Sequence, residues 1–182
     1  MMKRMLPAVL VAALLGPVPA LAQDSTTEDQ IKRGEYLVTI GGCHDCHTPL
    51  GMGPNGPEPD MSRMLSGHPQ DFAVSAPATV GQPWAGAFAP TLTAWSGPWG
   101  VSFTANLTPD EETGILRDFT EDQFIQTMRT GRHQGQGRQI LPPMPWPAIG
   151  KMTDEDLKAV FAYLQQIPAI KNKVPDPIPP AQ

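Results

Sequence analysis

The chain has two cysteines, and they stand three positions apart with a histidine directly after the second: Cys43-His44-Asp45-Cys46-His47. Thiols and an imidazole in this order form the C-x-x-C-H pattern that attaches haem covalently. Each thiol adds across one vinyl group of the porphyrin. The two intervening residues set the sulfurs at about the reach those vinyls require. The adjacent histidine can then turn a ring nitrogen toward the iron. Two other chemistries use a C-x-x-C pair. A thioredoxin-like dithiol belongs in a βαβ pattern, and none surrounds this one. A zinc site needs further ligands, which His44, His68 and His133 would supply only by converging in the fold.

An iron held by His47 from one side takes its sixth ligand from elsewhere in the chain. Of nine methionines, Met144 has the most unusual setting: Leu141-Pro142-Pro143-Met144-Pro145-Trp146-Pro147. Four prolines hold this backbone extended and rigid. A core methionine is normally valued for flexibility, so a rigid frame suits a sulfur presented to a metal. Met128 and Met152 fall at helical or helix-entry positions. Met52, Met61 and Met64 lie in a long loop, and His133 is a rival that would give bis-histidine iron. Met144 is the expected sixth ligand. A thioether in place of histidine raises the reduction potential, as suits an electron carrier. With both axial positions filled, no site is open to oxygen or peroxide, and catalysis at the iron would require a ligand to leave. No nucleophile, phosphate loop or metal-hydrolase pattern occurs elsewhere. The expectation is one covalent haem c with Cys43, Cys46, His47 and Met144 around it, and single-electron transfer rather than catalysis. A haem enzyme, and a haem-based sensor or structural subunit of a redox complex, are the alternatives.

Three segments have the periodicity and caps of helices. The first runs from about Glu28 to Ile40, with Thr27 and Gln30 at capping-box spacing and Gly41-Gly42 at its end. It delivers the chain straight into Cys43. Gly34 within it costs helix stability, which invites a close helix crossing; a tolerated surface glycine is the plain alternative. The second starts at Thr120 with Gln123 as its box partner, has Phe119 and Phe124 at staple positions, and stops near Thr130-Gly131. The third has Thr153 as N-cap and acidic Asp154, Glu155 and Asp156 in its first turn. Leu157, Val160, Phe161 and Leu164 recur on one face of it. Between the first two lies 48–119, dense in proline and glycine. This tract reads as irregular, with a short helix or turn within 60–67 and a weak hairpin between Phe72–Val74 and Ala89–Trp95. So long a loop suggests a wrap around something, with Trp84, Phe88, Trp95, Trp99 and Phe103 as candidate haem cover.

Lys3 and Arg4, the apolar run from Met5 to Leu15, and Ala20-Leu21-Ala22 read as a secretory signal peptide over 1–22. An uncleaved anchor is the alternative, but the run is short of the roughly 20 residues that span a bilayer. The expected organisation is a mono-haem domain over 23–170 and a flexible proline-rich tail over 171–182. Export to the periplasm fits the attachment chemistry. Thirteen Lys and Arg stand against 18 Asp and Glu, a formal charge of −5. An acidic chain with no basic run is a poor nucleic-acid binder.

Together these features resemble the class I c-type cytochromes: a glycine-bearing helix before C-x-x-C-H, a later methionine, and a C-terminal helix carrying Phe161 and Tyr163. The resemblance implies an all-α fold in which N- and C-terminal helices cross around the haem, here with a long irregular loop inserted. More narrowly, Arg33-Gly34-Glu35-Tyr36-Leu37, Asn106-Leu107-Thr108-Pro109-Asp110, Met128-Arg129-Thr130-Gly131-Arg132 and Leu141-Pro142-Pro143-Met144-Pro145-Trp146 are similar to haem modules of cytochrome subunits of bacterial alcohol and gluconate dehydrogenases. That similarity implies redox partner proteins. The donor would be a dehydrogenase, the acceptor a cytochrome or oxidase, and association with a membrane complex would be loose.

Overall fold

The computed structural model describes residues 27–78 and 80–180; the expected signal peptide lies outside them. The first helix, α1 (Thr27–Ile40), has Glu28 and Asp29 in its first turn, where the helix dipole favours acids. It ends where Gly41 N–H donates to Leu37 O at 2.8 Å, and Gly42 turns the chain at φ 68°. That left-handed step costs glycine nothing, and α2 (Cys43–His47) follows at once.

Two helices close the core from the other end of the sequence. α3 (Glu121–Thr130) has the capping box its sequence suggests: Gln123 N–H donates to Thr120 Oγ1 at 3.2 Å and Thr120 N–H to Gln123 Oε1 at 2.9 Å. Gly131 at φ 67° ends it. A short α4 (Trp146–Ile149) leads to α5 (Asp154–Leu164), capped by Thr153 Oγ1, which accepts from Asp156 N–H at 3.1 Å. α1 packs on α5. A Cβ on Gly34 would lie 2.7 Å from both the Ala159 carbonyl carbon and Tyr163 Cβ, and closer still to the Ala159 oxygen. Gly34 is therefore a crossing point, not a tolerated surface glycine. Beside it, the Arg33 guanidinium donates to both Asp156 carboxylate oxygens, at 2.9 and 3.3 Å. The buried core joins Leu37 and Val38 of α1, Phe124, Ile125 and Met128 of α3, and Leu157, Val160 and Leu164 of α5. The Phe124 and Phe161 rings lie 5.4 Å apart.

The all-α expectation is wrong: the fold is mixed α/β, with two small antiparallel sheets inside the tract read as irregular. β1 (Leu50–Gly53) pairs with β2 (Gly56–Pro59). β3 (Ala87–Phe88), β4 (Ala94–Gly97) and β5 (Gly100–Phe103) form a second sheet in the order β3-β4-β5. The physical cause is a repeated turn. Gly53-Pro54-Asn55-Gly56 and Gly97-Pro98-Trp99-Gly100 each place proline first in the bend, where its fixed φ suits the turn. Each then has glycine at positive φ, 117° at Gly56 and 92° at Gly100. The strand pairing also differs from the expected hairpin: β4 pairs with Ala87–Phe88 and Gly100–Phe103, and Phe72–Val74 forms no strand. The expected short helix is a 3-10 turn at Met61–Arg63.

The segment beyond α5, expected as a flexible tail from 171 onward, makes specific contacts. Asn172, 2 % exposed, donates through Nδ2 to Ser66 O at 2.7 Å and His68 O at 2.9 Å, and its Oδ1 accepts from Gln70 N–H at 3.0 Å. Asn106 Nδ2 donates to Ile170 O at 2.8 Å. Ile178 pairs with Val101 through two backbone hydrogen bonds. No described helix is long and apolar enough to cross a membrane.

Candidate functional site

Cys43, Cys46 and His47 share α2, a single turn of helix fixed on both sides. Gly67 N–H donates to His47 O at 2.8 Å. Thr48, fully buried, accepts Leu65 N–H on its Oγ1 at 3.0 Å and meets His44 Nδ1 at 3.0 Å. The motif is thereby locked to the 65–67 segment. Asp45 is exposed and His44 half-buried.

His47 is 8 % exposed, and its Nδ1 lies 2.8 Å from Ala105 O. A carbonyl can only accept, so Nδ1 carries the proton and Nε2 is left with a free lone pair. Burial holds the imidazole below its ordinary pKa; the Ala105 bond opposes this and His44 adds to it. The ring is therefore neutral near pH 7, the form that can ligate a metal. Pro49 looks from sequence like the neighbour that would orient this ring. Its carbonyl instead accepts Asp60 N–H, and the partner comes from a residue 58 positions on.

Both cysteines are free and half-buried. Burial pushes the Cys43 thiol up to about 11, against a weaker lowering by its own backbone, and raises Cys46 as well. Neither has the depressed pKa of a reactive dithiol. Among the described residues, no group of three or more His, Cys, Asp or Glu gathers as for a metal ion, so the zinc alternative lacks its further ligands there. One imidazole and one thioether do not require such a group.

Met144 is half-buried and packs against the main core cluster, as does Cys43. Its loop is anchored at three points. Ile140 N–H donates to Gly131 O at 2.8 Å. Ser102 Oγ on β5 donates to Pro142 O at 2.5 Å. The Trp146 indole lies over Gly131, where a Cβ would come within 2.6 Å of Cδ2. The rival methionines sit differently. Met52 and Met61 are exposed, Met128 is buried in α3, and Met64 and Met152 pack beside the core. His133 packs edge-on against Phe119 at 4.9 Å.

The aromatic side chains expected as cover differ in their settings. Trp84 and Phe88 are exposed, Trp95 leans on Phe88 at 5.4 Å, and Phe103 packs on His68 at 4.7 Å. Trp95 Nε1 and Trp99 Nε1 are buried without a hydrogen-bond partner. Sequence reasoning did not identify Ala105 or Ser102. Ala105 acts through its backbone, and Ser102 is a lone serine on a four-residue strand.

A helix bearing C-x-x-C-H, with its histidine pinned by the backbone, is a module of cytochrome type. Comparison with known proteins agrees. The chain is 33 % identical over 156 residues to the cytochrome c subunit of gluconate 2-dehydrogenase from Pantoea cypripedii, covering 85 % of this chain and 27 % of the relative. It is 30 % identical over 160 residues to the cytochrome c subunit of quinone alcohol dehydrogenase from Gluconobacter oxydans, covering 86 % and 26 %. The fructose dehydrogenase cytochrome subunit of Gluconobacter japonicus is also 30 % identical, with 88 % and 26 % covered. No family model matches. The chain spans about a quarter of the length of these relatives. It is homologous to the cytochrome c subunits of bacterial dehydrogenases, and that homology supports a general electron-transfer, cytochrome-subunit role.

Proposed function

We propose that this protein carries single electrons through one covalently attached haem c in the periplasm, after removal of residues 1–22. The observation that carries the proposal is His47: its Nδ1–H is held by Ala105 O, so Nε2 is unprotonated on the same helical turn as both cysteines. The residues suit a haem. Two neutral thiols are available for the vinyl groups. Half-buried Met64, Leu107, Ile115, Phe119 and Met144 pack with Cys43 along the edge of one apolar core. Two buried indole N–H groups, on Trp95 and Trp99, lack acceptors.

A bound haem c supplies a one-electron couple at its iron. Cys43 and Cys46 would tether it. His47 keeps one nitrogen deprotonated and aimed by the backbone, which avoids reorganisation on redox change. Met144 would supply a second iron ligand, and its thioether would favour the reduced state relative to a second histidine. None of these residues transfers a proton or forms a bond to substrate, so the protein acts as a non-enzymatic relay. Its partners are a dehydrogenase as donor and a cytochrome or oxidase as acceptor. The gluconate, alcohol and fructose dehydrogenase relatives are each named as a cytochrome subunit, which favours a docked subunit over a freely diffusing carrier, and co-purification with a dehydrogenase distinguishes the two.

The ferric absorption spectrum of the matured protein tests the ligand set. Methionine–histidine iron gives a weak far-red charge-transfer band. Its loss in Met144→Ala assigns the ligand, and its persistence removes Met144 from the site.

A further inference from the structure

The stretch at the end of β5 touches both His47, on α2, and the loop that carries Met144, the two proposed iron ligands. Ser102 Oγ donates to Pro142 O at 2.5 Å, two residues before Met144. Three residues after Ser102, Ala105 O accepts His47 Nδ1–H at 2.8 Å. The backbone between them is fixed independently. Thr104 N–H donates to Thr93 O at 2.9 Å, and Thr104 O accepts His68 N–H at 2.9 Å. Leu107 N–H then donates to Leu65 O at 2.9 Å. The hydrogen-bonded 102–105 segment therefore holds the histidine at one end and the methionine loop at the other.

The methionine loop needs such support. Pro142, Pro143 and Pro145 have no N–H to donate. Among the described residues, Ser102 is the side chain that hydrogen-bonds the backbone of 141–144. Ser102 is itself 7 % exposed, so water cannot readily replace its hydroxyl. The hydroxyl also lies 3.4 Å from Trp95 O. With one proton to give, the shorter and stronger bond is the one to Pro142.

We infer that Ser102 is a positioning residue for the sixth ligand, setting the place of Met144 relative to His47 through the shared 102–105 segment. This rests on the His47 and Met144 ligand set proposed above. Without the hydroxyl, the loop loses its lateral tie, and a nitrogen ligand from solution would displace the Met144 sulfur more readily than in wild type.

The test is a titration of the ferric protein with free imidazole, read by loss of the far-red band. Met144→Ala is run alongside; if it keeps the band, the ligand set fails, whatever Ser102 does. With the ligand set standing, Ser102→Ala should bind imidazole about tenfold more tightly than wild type, the size expected for one buried hydrogen bond. Thr127→Val is the control. It also removes a buried hydroxyl bonded to a carbonyl, Gln123 O at 2.7 Å, and should leave imidazole binding unchanged. If Ser102→Ala does not fold, Ser102→Thr and Ser102→Val decide the question, because they match in shape and differ in the hydroxyl. The threonine variant should behave as wild type and the valine variant should bind about tenfold more tightly. Equal affinities for wild type and Ser102→Ala, or for the threonine and valine pair, overturn the inference.

Discussion

Gly34→Ala is the sharpest perturbation of the packing between α1 and α5. In an isolated helix this change helps, because alanine is better than glycine by about 1 kcal/mol. Here the new methyl would lie 2.7 Å from the Ala159 carbonyl carbon and from Tyr163 Cβ, and nearer still to the Ala159 oxygen. The obstacle is mostly helix backbone, which cannot rotate aside as a flexible side chain can. The helices must move apart, loosening Leu37 and Val38 against Leu157 and Val160. Overpacking of this kind costs about 1–3 kcal/mol. With backbone in the way, the cost belongs at the upper end. Subtracting the helical gain leaves a net loss of about 2 kcal/mol, or roughly 4–8 °C in melting temperature for a chain of this size. The assay is thermal unfolding by circular dichroism at equal haem loading. Lys32→Ala serves as control: Lys32 is an exposed α1 residue in an i, i+4 pair with Glu28, and its loss should stay within about 0.5 kcal/mol. A Gly34→Ala protein that melts at or above wild type would show that propensity outweighs the crossing, and would refute the packing argument.

Two further outcomes follow from buried polar groups. Asn172→Ala strips the donors from Ser66 O and His68 O, both on fully buried residues. It should cost about 3 kcal/mol in urea unfolding, and a loss under about 0.5 kcal/mol would mean that the 170–173 strap does not hold the loop. His68 is held below its ordinary pKa chiefly by burial, against an upward pull from its bond to Phe72 O. The unfolded chain therefore takes up this proton first, near pH 6.5. The stability this neutral ring contributes is complete above that pH and is lost as pH falls below it. The pH slope of unfolding free energy below pH 6.5 should be shallower in His68→Gln than in wild type, and equal slopes would contradict this.

The helices were legible because their signals are local. Thr120 with Gln123, Phe119 with Phe124, and Thr153 before three acids each announce a helix start within a few residues. Cys43, Cys46 and His47 were legible for the same reason. The sheets were missed because their strands have four residues or fewer, too short to show alternation. The pair of Gly-Pro-x-Gly turns is the signal available, and the general proline and glycine density of the tract hides it. The Ala105 carbonyl left no trace in side-chain identity. Asn172 looks from sequence like part of a loose tail because its partners, Ser66 and His68, lie over a hundred positions away. Long-range backbone acceptors are set by topology, and topology was the part misread.

The most direct test is the mass of the exported chain, made in a host that matures c-type haem and measured under denaturing conditions. The prediction is a chain beginning near Gln23 that retains the mass of one haem through acid extraction, and loses it when Cys43 and Cys46 are both changed to serine. A wild-type chain with no added mass would contradict the central claim, because His47 and Met144 would then have no tethered iron between them.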